Sequence, residues 1–262
     1  MKQKTIKNIT KISGFGIHTG VKTNVILKPA KEDNGIVFIR SDIENKPKIK
    51  ALVQNVFSTE RSTNLKQNNA EIRTVEHLLA AIAGSEIDNL NIEVDNIEIP
   101  ILDGSSKKYS ELISKIGTVD LNKEKKIFEI KRRISIVDKD TGTQLIATPA
   151  DEYQLEVEID FDSKALKKQK AHLNTIKDFD SEISSSRTFC FFNELETLID
   201  KDLIKGGDLK NAIVIAEKNI NKSKLQKISK LFKKENLSVS DEGILNNLTL
   251  RYENEPARHK LL

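Results

Sequence analysis

The sequence predicts an α+β fold in two domains, for three reasons. Short stretches alternate apolar and polar residues, which is the period of a half-buried strand. Helical stretches lie between groups of these strands, and several strands follow one another without a helix between them. The length of 262 residues also suits two domains of ordinary size better than one.

Four strand patterns and four helical stretches carry this prediction. The alternating apolar positions are Val25 and Leu27; Val37 and Ile39; Leu90, Ile92 and Val94; and Tyr153, Leu155, Val157, Ile159 and Phe161. The helical stretches are residues 74–83, about 108–116, 192–199 and 222–234.

The boundary between the domains is expected near residue 125. The chain turns polar and charged from Asp120 to Lys126, and a new strand pattern begins at Ile127. Domain boundaries fall in exposed stretches of this kind. We therefore expect an N-terminal α+β domain over residues 1–125 and a C-terminal α+β domain over residues 126–262.

The composition narrows the class of function. The 43 basic and 39 acidic residues are mixed along the chain, which predicts a solvated surface and no nucleic-acid groove. Cys190 is the single cysteine and cannot form an intrachain disulfide, which fits a reducing compartment. No apolar run reaches the length of a signal peptide or a membrane span. A cytoplasmic location is the expectation, and no obligate protein partner is implied.

The pair Glu76 and His77 is the first candidate for chemistry, because it opens an apolar run that ends at Gly84. Thr74 is expected to cap this helix and the glycine to stop it. Neighbouring helical residues point about 100° apart, yet both side chains can reach a site across the helix end. A metal ligand and its general base need this arrangement. The alternative is an ordinary charged pair on a solvated helix face.

Two further segments are candidates for binding. His18 is presented by the glycine-rich loop of residues 14–20, although a lone loop histidine is more often a surface residue. Arg187 and Thr188 precede an aromatic cluster, and a polar pair at the mouth of an apolar trough would suit a ligand with a polar head and an apolar tail. The alternative for the phenylalanines is core packing.

The chain closely resembles the bacterial UDP-3-O-acyl-N-acetylglucosamine deacetylases of lipid A biosynthesis, over essentially its whole length. Six motifs in the same order carry the resemblance: residues 14–20, 73–77, 87–89, 98–105, 187–189 and 258–260. The resemblance implies two related layered α/β sandwich domains with the active site in the cleft between them. It also implies zinc-dependent hydrolysis of the N-acetyl group of a small acylated UDP-sugar, with release of acetate, in the cytoplasm of a Gram-negative bacterium.

The resemblance assigns roles to individual residues. His77 and His259 match two zinc ligands, Glu76 matches the carboxylate that takes a proton from water, and Thr188 matches a donor to the oxyanion. Lys260 matches a lysine near the reacting centre. Residues 190–211 match an insert that forms the passage for the acyl chain. The residues expected to bind substrate are His18, Phe161, Phe189, Phe191, Leu195 and Leu198, with Ile199 and Leu203 as further lining.

Two family residues have no match in this chain. The aspartate ligand lies four residues after the second histidine, which would be one position past Leu262, and the histidine that protonates the leaving amine lies further on. We therefore expect a C-terminally truncated chain with weak zinc binding and little deacetylation. The alternative is a non-catalytic binding module for the same acylated UDP-sugar. Fusion to a hydroxyacyl carrier-protein dehydratase, the acyl-chain length and a choice of iron over zinc are left open.

Residues 219–250 form a longer connection than the family usually has. Its helical stretch has an apolar stripe of Leu225, Ile228, Leu231 and Phe232, surrounded by lysines. A basic amphipathic helix of this kind could make transient contact with a membrane surface. The alternative, which we favour, is a surface helix whose stripe packs on the domain.

Overall fold

The computed structural model describes residues 1–200, 204–216, 220–232, 234, 237–241, 243–245 and 248–262. The strands of the first half are β1 (Lys2–Ile6), β2 (Thr10–Phe15), β3 (Lys22–Pro29), β4 (Ile36–Arg40), β5 (Lys48–Lys50), β6 (Val56–Ser58), β7 (Asn64–Gln67), β8 (Ala70–Ile72), β9 (Leu90–Val94) and β10 (Thr118–Glu124). The helices of this half are α1 (Glu76–Gly84) and α2 (Lys107–Ile116).

A five-stranded sheet forms the base of the first half, in the order β2-β3-β9-β4-β5. Only β4 and β9 are parallel neighbours in it. Leu78 of α1 and Tyr109 of α2 are fully buried in one cluster with sheet residues such as Leu27 and Ile92. Both helices therefore pack on one face of the sheet, and the resulting core fixes the position at which α1 begins. A three-stranded sheet of β6, β7 and β8 lies beside it.

The second half contains pairs of strands and short helices. Its strands are β11 (Ile134–Val137), β12 (Gln144–Ala147), β13 (Leu155–Ile159), β14 (Gln169–Leu173), β15 (Phe189–Phe191) and β16 (Ile213–Ile215). Its helices are α3 (Phe179–Glu182), α4 (Phe192–Asp200), α5 (Lys222–Leu231) and α6 (Glu255–His259). β11 pairs with β12 and β13 with β14 in antiparallel register, whereas β15 and β16 are parallel.

The predicted α+β class is confirmed, and most predicted elements are present. Leu90, Ile92 and Val94 of β9 are completely buried, as expected of a central strand. The strand predicted to start at Ile127 is wrong, because the next strand begins at Ile134 and Ile127 is 66% exposed. β10 ends at Glu124, and the division into domains at residue 125 stays a prediction.

The apolar stripe of α5 packs inward. Ile228 is fully buried in a cluster with Phe192, Leu195 and Val214, and Leu225 and Phe232 pack against that cluster. The side chain of Leu231 lies outside the described residues. The packing alternative therefore holds for the described part of the stripe. Across the described ranges, no helix combines the length and the apolar character that crossing a membrane requires.

Candidate active site

The start of α1 is fixed by a buried carboxylate. Thr74 has φ of 57°, a left-handed conformation that β-branched residues rarely adopt. Its hydroxyl donates to Oε1 of Glu98 at 3.0 Å, so it does not cap α1, and the predicted capping role is wrong. Glu98 is completely buried and also accepts bonds from the backbone N–H groups of His18 and Thr19. One carboxylate thus holds the glycine loop against the first turn of α1.

Glycines in and beside the loop of residues 14–20 let other atoms pack closely against the loop. A Cβ on Gly16 would lie 2.2 Å from Oε2 of Glu98, and one on Gly206 would lie 2.0 Å from the carbonyl oxygen of Gly16. The backbone N–H of Gly206 donates to the carbonyl oxygen of Ile17 at 3.1 Å. The loop therefore joins the two halves of the chain. Gly84 also serves packing, because a Cβ there would lie 2.0 Å from the ring of Phe179.

Glu76 is a buried carboxylate with one oxygen oriented by the backbone. Its Oε2 accepts a hydrogen bond from the N–H of Thr63 at 2.9 Å. Burial raises the pKa of Glu76 to about 7, and the nearby charge of Glu98 raises it further, while the Thr63 N–H opposes the shift. The carboxyl can therefore both hold and release a proton near neutral pH.

His77 and His259 lie side by side in the interior. Their ring centroids are 5.3 Å apart, and His77 is only 2% exposed. Within the described chain neither ring nitrogen of His77 has a hydrogen-bond partner, whereas Nδ1 of His259 lies 3.3 Å from the carbonyl oxygen of Ser186. Burial lowers the pKa of His77 to about 4 and that of His259 well below its usual range. Both imidazoles are therefore neutral at pH 7, which is the form that binds metals.

The donor set fits a metal ion in part. Imidazole nitrogens suit Zn²⁺, Fe²⁺ and neighbouring transition metals, and unpaired buried nitrogens are costly unless something binds them. His77 and His259 supply two such donors. Among the residues that the structure describes, no group of three or more His, Cys, Asp or Glu side chains is arranged to hold a metal. This chain therefore offers two histidine ligands.

Aromatic rings flank the second histidine. Phe161, Phe189 and Phe191 form a mutual edge-to-face trio with centroids 5.5 to 6.3 Å apart. Phe189 also lies 6.3 Å from the ring of His259, and Nζ of Lys260 lies 5.5 Å from the centroid of Phe189. The trio thus presents apolar surface beside a cation next to the histidine pair.

A single cavity, open to solvent, joins the polar residues to an apolar trough. Its predicted lining residues are His18, Glu76, His77, Thr188, Phe189, Leu195 and Leu198. Further lining comes from Ile17, Arg61, Thr74, Ile101, Cys190, Ile204, Gly207, Asp208, Leu209, Ala212, Val214 and Phe232. Burial raises the pKa of the Cys190 thiol to about 12, which keeps it protonated. The predicted lining residue Leu203 and the side chain of Ile199 lie outside the described residues.

A buried ion-pair network holds the segment that carries Thr188. Glu255 is completely buried and accepts hydrogen bonds from the backbone N–H, Nε and Nη2 of Arg187 at 2.8 to 3.0 Å. It also accepts the backbone N–H of Arg251 at 2.6 Å, and the Arg251 guanidinium reaches Asp103 at 2.9 Å. Since Glu255 begins α6, the network ties the helix of His259 to the segment that carries Thr188.

Sequence reasoning placed some of these residues and missed others. Arg187 was expected at a ligand-binding mouth, but it is 6% exposed and paired with Glu255, so the prediction that it meets a ligand is wrong. Thr188 does line the cavity, and its N–H donates to the carbonyl oxygen of Gly104 at 2.7 Å. The role of Glu255 was missed, because its partner lies 68 residues away and no local spacing marks it. Phe232 was noticed only as part of a helix stripe.

Comparisons with known proteins agree with the resemblance. A family model described as "LpxC: UDP-3-O-acyl N-acetylglycosamine deacetylase" matches residues 3–234. A protein of Porphyromonas gingivalis named "Bifunctional enzyme LpxC/FabZ" is 41% identical over 261 residues, which cover 100% of this chain and 56% of that protein. A similar bifunctional enzyme of Bacteroides thetaiotaomicron is 38% identical, with 57% of its length covered.

A relative in Myxococcus xanthus, named "UDP-3-O-acyl-N-acetylglucosamine deacetylase", is 35% identical over 261 residues. The match covers 99% of this chain and 75% of the relative. The chain thus spans just over half the length of the bifunctional relatives and three quarters of this one. With a family model matched over most of its residues, the chain belongs to the UDP-3-O-acyl N-acetylglycosamine deacetylase family.

Proposed function

We propose that this chain binds an acylated UDP-N-acetylglucosamine and takes part in the zinc-dependent hydrolysis of its N-acetyl group, the committed step of lipid A biosynthesis, with release of acetate. The observation that carries the proposal is the pair His77 and His259, with both nitrogens of His77 unpartnered in the described chain, beside a cavity that Glu76, His77 and Thr188 line. The names of the relatives supply the substrate.

His77 and His259 would hold the zinc ion, which when bound polarises the amide carbonyl and lowers the pKa of water. Glu76 would take a proton from the attacking water; its carboxylate lines the cavity and accepts the Thr63 N–H, which orients it, and both support this role. The Thr188 hydroxyl would donate a hydrogen bond to the oxyanion that forms on the acetyl group. Lys260 adds positive charge beside the phenylalanine trio, near the anionic substrate.

Two parts of the proposed substrate, the sugar and the acyl chain, would contact two different surfaces. The rings of Phe161, Phe189 and Phe191, of which Phe189 lines the cavity, suit the face of a sugar, and the apolar trough with Leu195 and Leu198 suits a fatty acyl chain. On this proposal a small-molecule substrate binds between residues 1–125 and 126–262, the two domains that we propose. A UDP-sugar of this kind implies a cytoplasmic site of action.

The test compares Glu76→Gln with the unaltered chain, in the presence of Zn²⁺ and a UDP-3-O-acyl-N-acetylglucosamine. Calorimetry should show that both bind the substrate, because the amide retains the size of the carboxyl group. Release of a free amine is expected from the unaltered chain and should be lost in the variant. Glu60→Gln, on an exposed turn, is the matched control and should keep the unaltered rate. Equal amine release by Glu76→Gln would contradict the assignment of the base.

A second function is favoured by one observation: no group of three metal ligands occurs in the described ranges. On this alternative the chain is a non-catalytic binding module for the same acylated UDP-sugar. Saturable substrate binding without amine release, at any Zn²⁺ concentration, would favour the module over the enzyme.

A further inference from the structure

We propose that Phe232 sets the length of the acyl chain that the cavity accepts. The inference rests on the proposed function, since it needs an acyl chain in the apolar trough. Phe232 lines the same cavity as Glu76 and His77, although it lies at the end of α5 and far from both in sequence. Phe232 directly follows α5, and among the residues described no lining residue comes from α5 itself, so this ring is the contact between that segment and the cavity.

The residues that line the cavity include a polar group with Glu76 and His77 and an apolar group. Leu195, Leu209, Val214 and Phe232 line it and belong to one hydrophobic cluster. Phe189 belongs to a second cluster, and the apolar residues of α1 that follow His77 belong mainly to a third. An acyl chain that contacts Leu195, Leu209 and Val214 therefore lies against the same cluster as Phe232.

Phe232 is held firmly enough to act as a stop. Its backbone N–H donates to the carbonyl oxygen of Ile228 at 3.0 Å, which continues the helical bonding one residue past Leu231, where α5 ends. Ile228 is fully buried, and the side chain of Asn221 caps the start of the helix by accepting the N–H of Ser223 at 2.9 Å. The ring is thus placed by a capped and anchored helix.

The expected effect follows from the burial of methylene groups. Each methylene that enters the trough should strengthen binding about fourfold, the equivalent of about 0.8 kcal/mol. Once the tail reaches the ring of Phe232, a further methylene must displace packed side chains or remain in water, and the gain should stop or reverse. A smaller residue at position 232 should move this limit to longer chains.

The experiment titrates the full chain with 3-hydroxy fatty acids from about eight to about eighteen carbons, with each methylene as one step. Wild type should show rising affinity to a limiting length. Phe232→Ala should bind acids longer than that limit at least about tenfold more tightly than wild type, with unchanged affinity for short ones. Phe232→Trp should lower the limit, which keeps the test decisive if the alanine variant folds poorly. Phe128→Ala, at a ring that is 86% exposed, is the matched control.

Coincident length profiles in wild type and both Phe232 variants would overturn the assignment to Phe232 while leaving the acyl-binding cavity in place. Absence of saturable binding at every length would instead overturn the acyl-binding assignment on which this proposal rests. The two failures are therefore distinguishable.

Discussion

Two buried polar side chains, Glu255 and His77, have opposite surroundings. Glu255 is completely buried and receives four N–H donors, three from Arg187 and one from Arg251. His77 is equally buried, yet neither of its ring nitrogens has a partner in the described part of the molecule. Glu255 begins the helix that carries His259, whose ring centroid lies 5.3 Å from that of His77.

The difference distinguishes a buried side chain that stabilises the fold from one that is available to bind a ligand. A buried polar group that lacks a partner costs about 1 to 3 kcal/mol, and native proteins seldom tolerate this without a reason. Glu255 has all its bonds within the protein, so its contribution is to hold α6 against the Thr188 segment. Both ring nitrogens of His77 are available within the described chain, as a ligand-binding side chain requires. If this comparison is right, the two residues should respond oppositely to removal.

The largest effect is expected for Glu255→Ala. Its loss leaves the buried Arg187 guanidinium without its carboxylate, and breaking a buried pair in this way costs about 3 to 5 kcal/mol. Urea denaturation should show this decrease in the free energy of unfolding. Glu253→Ala is the control, because Glu253 is exposed two residues away, and it should change stability by less than about 0.5 kcal/mol. A loss below about 1 kcal/mol for Glu255→Ala would show that the network is not a framework.

A smaller effect of opposite sign is expected for His77→Leu, measured with a chelator present. Replacing an unpartnered imidazole by an apolar side chain removes a desolvation cost, so the free energy of unfolding should stay the same or rise by up to about 2 kcal/mol. His172→Leu, at an exposed position of β14, is the matched control and should leave stability nearly unchanged. A loss comparable to that of Glu255→Ala would erase the contrast between the two residues.

The smallest effect is expected for the ion pair between Arg61 and Glu194, which joins the loop after β6 to α4 at the rim of the cavity. The atoms are 3.1 Å apart, but both side chains are more than 30% exposed, so water screens the attraction. Arg61→Ala should cost less than about 1 kcal/mol by urea denaturation. A larger cost would mean that this ion pair also stabilises the fold, as the Glu255 network does.

The same contrast explains what the sequence could predict. Leu90, Ile92 and Val94 were predicted as a strand because their period of two is local, and Glu76 and His77 were found because they are adjacent in a motif. The bonds of Glu255 join residues far apart in the chain, and no local pattern reports them. Thr74 was assigned as a cap by its position before the helix, but its hydroxyl binds Glu98, a long-range competitor that local reasoning does not see.

The most direct test of the account is the affinity of the chain for Zn²⁺, measured by competition with a chromophoric chelator. We predict that the chain binds one Zn²⁺ ion and that His77→Leu and His259→Leu each weaken binding by more than about tenfold, since loss of a ligand should cost more affinity than loss of a residue that only orients a ligand. His172→Leu should bind as wild type does. Equal affinity in wild type and in both ligand variants would contradict the claim that the unpartnered His77 belongs to a metal site.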